Sequence, residues 1–304
     1  MFDRLKVVEE LKSLDIEKVF TNEPLYKHTT YKVGGPAQVF VHAKTPFELV
    51  QVIEYALDNN YKYFVIGAGS NILFSDGAFE GIVITTRALN TYDISGHEVY
   101  AECGTSIIAL AMSTARLGLS GLEFASGIPG LVGGAVFMNA GAYNKDIASI
   151  LKEVWVYRNR KLEWVPRSEL EYSYRHSSFQ DHRDWVILAA RFELSESDPD
   201  VIKQLILERK IKRQDAQPYD AYSAGSVFKN PDNGSSWELI DQAGLRGFRI
   251  NDAHVSLKHP NFIVNADRAS ARDVYSLIKL VQNEIKKKFD ISLKVEVELV
   301  NFDE

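Results

Sequence analysis

Residues 126–143 read SGIPGLVGGAVFMNAGAY, and no other stretch limits the fold as tightly. They hold five of the chain's nineteen glycines and three alanines, yet Ile128, Leu131, Val132, Val136, Phe137 and Met138 are large and apolar. A flexible linker carries Ser, Lys or Glu where these side chains stand. The segment therefore belongs to an interior, with its backbone pressed against a neighbour that leaves little room for side chains.

A second segment of this kind is VIGAGSNILFSDG, residues 65–77. A strand over 63–66 runs into Gly67, Ala68, Gly69, Ser70 and Asn71. Glycines at such a turn permit positive φ and bring backbone N–H groups close enough to wrap an anion. On these residues alone a phosphate cradle and a plain tight turn both remain open. Two familiar cradles are excluded. No GxxxxGK[ST] string occurs, which removes a P-loop. A Rossmann fingerprint needs GxGxxG opening a helix, whereas ILFSDGAFEG has a turn at Asp76-Gly77 and no helical period. Two small-residue loops, one after a strand and one after a helix over 105–117, suit a long dinucleotide as well as they suit close protein packing.

The 304 residues allow two cores, and 45% hydrophobic with 25% charged residues is the balance of a folded protein. A net charge of −6 offers no general attraction to nucleic acid or anionic lipid. One cysteine, Cys103, excludes a disulfide framework and a multi-thiolate metal site. The charged N-terminus MFDRLKVVEELKSLDIEK lacks the apolar run of a signal peptide, and no stretch has about 18 consecutive apolar residues. The expectation is a cytoplasmic, metal-free monomer that acts on small molecules, without nucleic-acid binding or membrane insertion.

Caps place the helices. Thr45-Pro46-Phe47-Glu48 is a capping box with proline at the first helical position, followed by Leu49, Val52, Ile53, Ala56 and Leu57 at helical spacing. Ser235 with Glu238 and Ser270 with Asp273 repeat the device, Gly244 suits a C-cap, and Asp198-Pro199 starts a charged helix to about Gln214. Strands are expected over 38–42, 63–66, 82–85, 99–102, 154–157, 186–194 and 262–264. A last one over 292–300 alternates, with Leu293, Val295, Val297 and Leu299 on one face and Lys294, Glu296 and Glu298 on the other.

Read in order, GAGSN, GLEFASGIPGLVGGAVFMNAGAY, YSYRHSSF, AGSVFKNP, AGLRGFRINDAHVSLKHPNFIVN and KVEVELV resemble the UDP-N-acetylenolpyruvoylglucosamine reductase (MurB) family, over about Asn22 to Val300. The chain looks like the shorter subtype, with no room for an extra loop between Tyr174 and Ser226. The resemblance implies an α+β architecture: a vanillyl-alcohol-oxidase/PCMH-type FAD-binding fold followed by a smaller α+β substrate-binding domain. The expected organisation is a lead-in over 1–29, an FAD domain over 30–196 and a substrate domain over 197–304, whose last strand returns to the active site.

It implies NADPH-dependent reduction of UDP-N-acetylglucosamine enolpyruvate to UDP-N-acetylmuramate through non-covalent FAD, for peptidoglycan precursor synthesis. In such a fold Gly67, Ala68, Gly69, Ser70 and Asn71, with Gly127, Gly133, Gly134, Asn139 and Gly141, face the cofactor, where side chains would collide with it. Arg175 matches the arginine that binds the substrate carboxylate, a role suited to a permanent, planar cation. Ser226 matches the proton donor, and Glu296 a carboxyl at the enolpyruvyl group, where a raised pKa is expected. On periodicity alone Glu296 reads as a solvated carboxylate, with Glu298 as its control. Tyr174, Lys229 and Asn230 are expected at the sugar nucleotide, with His259 a further candidate. Two departures stand out: Asn251-Asp252 where many relatives have Gly-Gly, and Leu131 where many have serine. Two rivals stay open: an FAD oxidoreductase acting on another substrate, and a non-catalytic nucleotide-binding protein.

Overall fold

In the computed structural model, which describes residues 2–302, Thr45 caps helix Pro46–Asp58 by accepting the Glu48 N–H at 3.1 Å. Of its apolar stripe, Leu49, Val52, Ile53 and Ala56 are fully buried and Leu57 is half-buried. Ser270 and Asp273 form the reciprocal capping box of helix Ala271–Phe289, whose buried stripe is Val274, Leu277, Ile278, Val281 and Ile285. The Ser235 box does not form: Ser235 occupies the cap position of helix Ser236–Gln242 but makes no capping bond. Asn230 replaces it, its side-chain oxygen accepting the Ser236 N–H at 3.0 Å.

The chain divides into two units, each drawing on separated segments. One comprises the chain to Thr21, Val39–Ala68 and Gly81–Arg213; the other comprises Asn22–Gln38, Gly69–Glu80 and the chain from Gln214 on. These units are discontinuous, unlike the expected 1–29, 30–196 and 197–304, and most of helix Pro199–Ala216 stays with the first. The place of Gly69–Glu80 has a local cause. Its strand Ile72–Phe74 pairs in parallel with Glu298–Val300, and Asp76 accepts the N–H groups of Ala271 and Arg272 at 2.8 and 2.9 Å. Those N–H groups open a helix and have no partner within it, so a carboxylate there is favoured.

The first unit holds a five-stranded antiparallel sheet in the order Lys161–Pro166, Leu151–Arg158, Val186–Glu193, Glu98–Glu102, Tyr92–Ser95. Val186–Glu193 lies in its middle, and its VILAA run is buried, as a strand covered on both faces requires. A four-stranded sheet orders Val19–Pro24, Pro36–His42, Phe79–Thr85 and Tyr63–Ile66, the last two parallel. In the second unit helix Ala271–Phe289 covers the antiparallel sheet Arg249–Ile250, Ala253–Val255, Ile263–Asn265.

The C-terminal segment departs from the single strand expected over 292–300. Only Glu298–Val300 is a strand; Val295 makes an isolated bridge to Phe228. The segment changes partners on the way: the Glu296 N–H donates to the Val227 carbonyl at 2.7 Å, and the Glu298 N–H to the Asn71 carbonyl at 2.8 Å. Alternation in the sequence records which side is buried, not which neighbour supplies the hydrogen bonds. Among the described residues no helix is long and apolar enough to cross a membrane.

Candidate active site

The start of the second glycine segment, to Ala68, lies in the first unit with the other segment, whereas Gly69 to Asn71 belong to the second. A Cβ on Gly67 would touch the Leu131 side chain at 3.5 Å, an ordinary contact. Leu131 is buried and packs where a serine would leave space. It also precedes helix Val132–Phe137, so the run GGAVF is helical, where the sequence suggested an open loop.

The glycines divide by cause. Gly69 takes φ +66°, and a Cβ on it would lie 2.1 Å from the His28 carbonyl oxygen. One on Gly133 would lie 2.9 Å from the Cys103 Cβ, and one on Gly141 2.6 Å from the Lys145 carbonyl oxygen. Protein contacts forbid side chains at these three, which corrects the expectation that the cofactor does so. The Gly133 amide is already bonded to the Cys103 carbonyl at 2.8 Å, and the Val132 amide to Thr105 at 2.9 Å. Gly134 is the opposite case. It is exposed, a Cβ on it meets nothing within 4 Å, and its φ lies outside the left-handed range. A helix interior that keeps glycine there forgoes helix propensity without a steric reason inside the protein.

Asn139 is buried, at φ 43°, and its amide is engaged by protein. Nδ2 donates to Asp146 Oδ2 at 3.1 Å and to the Ser173 carbonyl at 2.9 Å, and Oδ1 accepts the Ala148 N–H at 3.0 Å. Both donor hydrogens of the side-chain amide, and one of the two acceptor positions on its oxygen, are thereby filled. Asn139 thus anchors the hairpin Tyr172–Ser173/His176–Ser177, at whose turn Arg175 sits. The carbonyl of Phe137, at the end of the glycine helix, accepts from Ser177 Oγ at 2.5 Å and Gln180 Nε2 at 3.1 Å. Gln180 Nε2 also reaches the Arg175 carbonyl at 3.2 Å. Nothing in the sequence marked Ser177 or Gln180, whose partners lie about 40 residues away.

Arg175 itself is half-buried at φ 54°, a left-handed conformation unfavourable for a residue with a long side chain. Its Nη2 donates to the Gly141 carbonyl at 2.6 Å, and the guanidinium carbon lies 5.3 Å from the centre of the exposed Tyr174 ring. The carbonyl holds one edge of the guanidinium beside the glycine segment.

Ser226 and Glu296 come together in the second unit. The Glu296 N–H bonds Val227, the residue after Ser226, and the Lys229 N–H bonds the Lys294 carbonyl at 2.9 Å. On its other side the stretch is clasped by buried Asn261. That side chain accepts from the Phe228 N–H at 3.0 Å and donates to the Phe228 carbonyl at 2.8 Å, as a strand neighbour would. Gly225 turns the chain before Ser226 at φ +77°, and a Cβ there meets nothing within 4 Å. Glu296 and Glu298 are both half-buried, whereas Lys294 on the same expected polar face is exposed. Arg175 belongs to the first unit, Ser226 and Glu296 to the second.

Lys229 is half-buried beside Asn230, whose oxygen caps a helix as described. Burial holds His259 below its ordinary range, so the ring is neutral at pH 7. Asn251 adopts φ 50°, so the hairpin turn survives without Gly-Gly, and its amide donates to Asp273 at 2.8 Å.

Two family models match the chain: "FAD binding domain" over residues 37–158, and "UDP-N-acetylenolpyruvoylglucosamine reductase, C-terminal domain" over 217–300. The chain is 42% identical over 297 residues to UDP-N-acetylenolpyruvoylglucosamine reductase 1 of Bacillus cereus, covering 97% of this chain and 99% of that protein. It is 41% identical to the reductase of Bacillus subtilis over the same length, with 97% and 98% covered. The crystal structure of UDP-N-acetylenolpyruvylglucosamine reductase from Thermus caldophilus superposes with a TM-score of 0.80 at 35% identity, covering 93% of this chain and 98% of that one.

Proposed function

The chain belongs to the UDP-N-acetylenolpyruvoylglucosamine reductase family, and from that footing we propose how its residues divide the work. It is an FAD-dependent oxidoreductase that reduces UDP-N-acetylglucosamine enolpyruvate to UDP-N-acetylmuramate, with NADPH as hydride donor, in peptidoglycan precursor synthesis. Its fold is the α+β, FAD-binding fold of that family.

FAD, when bound, would supply the hydride chemistry, with NADPH as the reductant. Gly134 fits such a group, because a Cβ there would meet nothing within 4 Å. We assign Gly67, Ala68, Gly69, Ser70 and Asn71, with Gly127, Gly133, Gly134, Asn139 and Gly141, to the walls of the cofactor site. Asn139, Gly69, Gly133 and Gly141 serve by shaping that wall.

Arg175 binds the carboxylate of the enolpyruvyl group. As negative charge grows on the carbon bearing that carboxylate, a fixed cation that needs no reorganisation lowers the barrier. Ser226 gives its hydroxyl proton to that carbon. Serine is a weak acid, so the proton must be replaced through a neighbour, and we assign that relay to Glu296 on the adjacent segment. The carrying observation is the 2.7 Å bond from the Glu296 N–H to Val227, which ties the carboxyl-bearing segment to the serine-bearing one. Tyr174, Lys229 and Asn230 line the sugar-nucleotide side. The segment 30–196 serves as the cofactor domain and 197–304 as the substrate domain. The enzyme works in the cytoplasm as a monomer, which sedimentation of the flavin-loaded protein tests.

The half-reactions test the assignment. Under anaerobic conditions, Ser226→Ala keeps flavin bleaching by NADPH and loses its return on adding UDP-N-acetylglucosamine enolpyruvate. Return at the wild-type rate removes Ser226 from the mechanism. Return with another acceptor but not with the enolpyruvyl sugar shows a different substrate class.

A further inference from the structure

Glu296 has both of its backbone polar groups held from outside its own segment. Its N–H donates to Val227 at 2.7 Å, and its carbonyl accepts Asn71 Nδ2 at 3.0 Å. Asn71 also takes the Glu298 N–H on its own carbonyl at 2.8 Å. One residue thus grips the chain on both sides of buried Val297, with its side chain before and its main chain after.

The grip comes from a fixed point. Asn71 ends the Gly67–Asn71 loop, and the Gly69 carbonyl there accepts from the Thr30 N–H at 3.1 Å and from Thr30 Oγ1 at 3.3 Å. Gly69 sits so close to His28 that a Cβ would lie 2.1 Å from its carbonyl oxygen. The strand after Asn71, Ile72–Phe74, is parallel to Glu298–Val300, and Asp76 beyond it holds the start of helix Ala271–Phe289. The loop is anchored at both ends, so Glu296 is the partner whose position is set.

We propose that Asn71 is a positioning residue for Glu296: its side-chain amide fixes the Glu296 peptide, and so couples the loop on the cofactor side to the carboxyl that relays the proton. This rests on the role given to Glu296 above. Asparagine is specific here. The bond needs a donor at this reach, so Asp has none to offer, Ala leaves the carbonyl unmet, and Gln is one methylene too long.

The test uses flavin-loaded full-length enzyme and two readouts. Amide exchange at Glu296 should be about five-fold faster in Asn71→Ala and Asn71→Asp than in wild type, the loss of one hydrogen bond. In rapid mixing, Asn71→Ala should slow flavin reoxidation by substrate at least five-fold and slow reduction by NADPH less. In a Glu296→Gln background the same change should slow reoxidation less than two-fold. Equal slowing in both backgrounds, or unchanged exchange, overturns the coupling. Should Glu296→Gln alone leave reoxidation untouched, the relay role fails on its own evidence. The positioning role then falls with it, even where exchange at Glu296 responds.

Discussion

Alanine at position 134 separates a glycine kept for the protein from a glycine kept for a ligand. Gly133 and Gly134 are neighbours in helix Val132–Phe137, so propensity treats them alike, and Gly→Ala inside a helix gains about 1 kcal/mol. Their surroundings are opposite. At 133 the new methyl would lie 2.9 Å from the Cys103 Cβ and 3.2 Å from its carbonyl oxygen, straining the 2.8 Å bond from the Gly133 amide. Overpacking of this kind costs about 1–3 kcal/mol, so Gly133→Ala should be neutral to about 2 kcal/mol less stable. At 134 nothing stands within 4 Å, and the propensity gain survives. Flavin-free Gly134→Ala should therefore unfold at higher denaturant than wild type, by about 0.5–1 kcal/mol. FAD titrated into the same protein should bind at least ten-fold more weakly, about 1.4 kcal/mol, because the methyl fills the face on which the cofactor lies. Wild-type FAD affinity in Gly134→Ala would show that the open face is not the cofactor side. A destabilised apo-protein would show that position 134 lacks the room assigned to it.

Four further outcomes are expected. Asn139→Ala removes three buried hydrogen bonds and a residue suited to positive φ; urea unfolding should show a loss of about 3 kcal/mol. Arg175→Lys should keep the charge, lose the fork, and slow reoxidation at least ten-fold with flavin content unchanged in the absorbance spectrum. Glu296→Gln should slow reoxidation far more than Glu298→Gln, and equal effects would remove the distinct role assigned to Glu296. Burial pushes the Cys103 thiol up to about 12 from an ordinary 9.0, so it stays neutral in the folded protein. As pH rises the unfolded chain ionises first, and stability is lost between pH 9 and 12; from pH 9 to 10 this amounts to about 1 kcal/mol. Denaturant midpoints at the two pH values should converge in Cys103→Ala by that amount.

Local chemistry was legible in the residues because caps and turns act over three or four positions. Thr45 with Glu48 and Ser270 with Asp273 begin helices as their spacing predicts, and Asn251 supplies the left-handed turn without a glycine. Where a local rule failed, a distant group had intervened: Asn230 displaced Ser235 as the cap of helix Ser236–Gln242. The same holds for the last segment, whose alternation was visible but whose change of partner between Glu296 and Glu298 was not.

Composition and motif order alone determined that this chain builds an interior around two side-chain-poor segments. Why each glycine is a glycine was decided only by the tertiary structure. Gly69, Gly133 and Gly141 are crowded by distant backbone and side chains, while Gly134 faces open space. Asn71 reaches Glu296 across 225 positions of sequence. Such contacts depend on where the packed core places each backbone, and periods of two or 3.6 residues carry information about a face but none about what will lie opposite it.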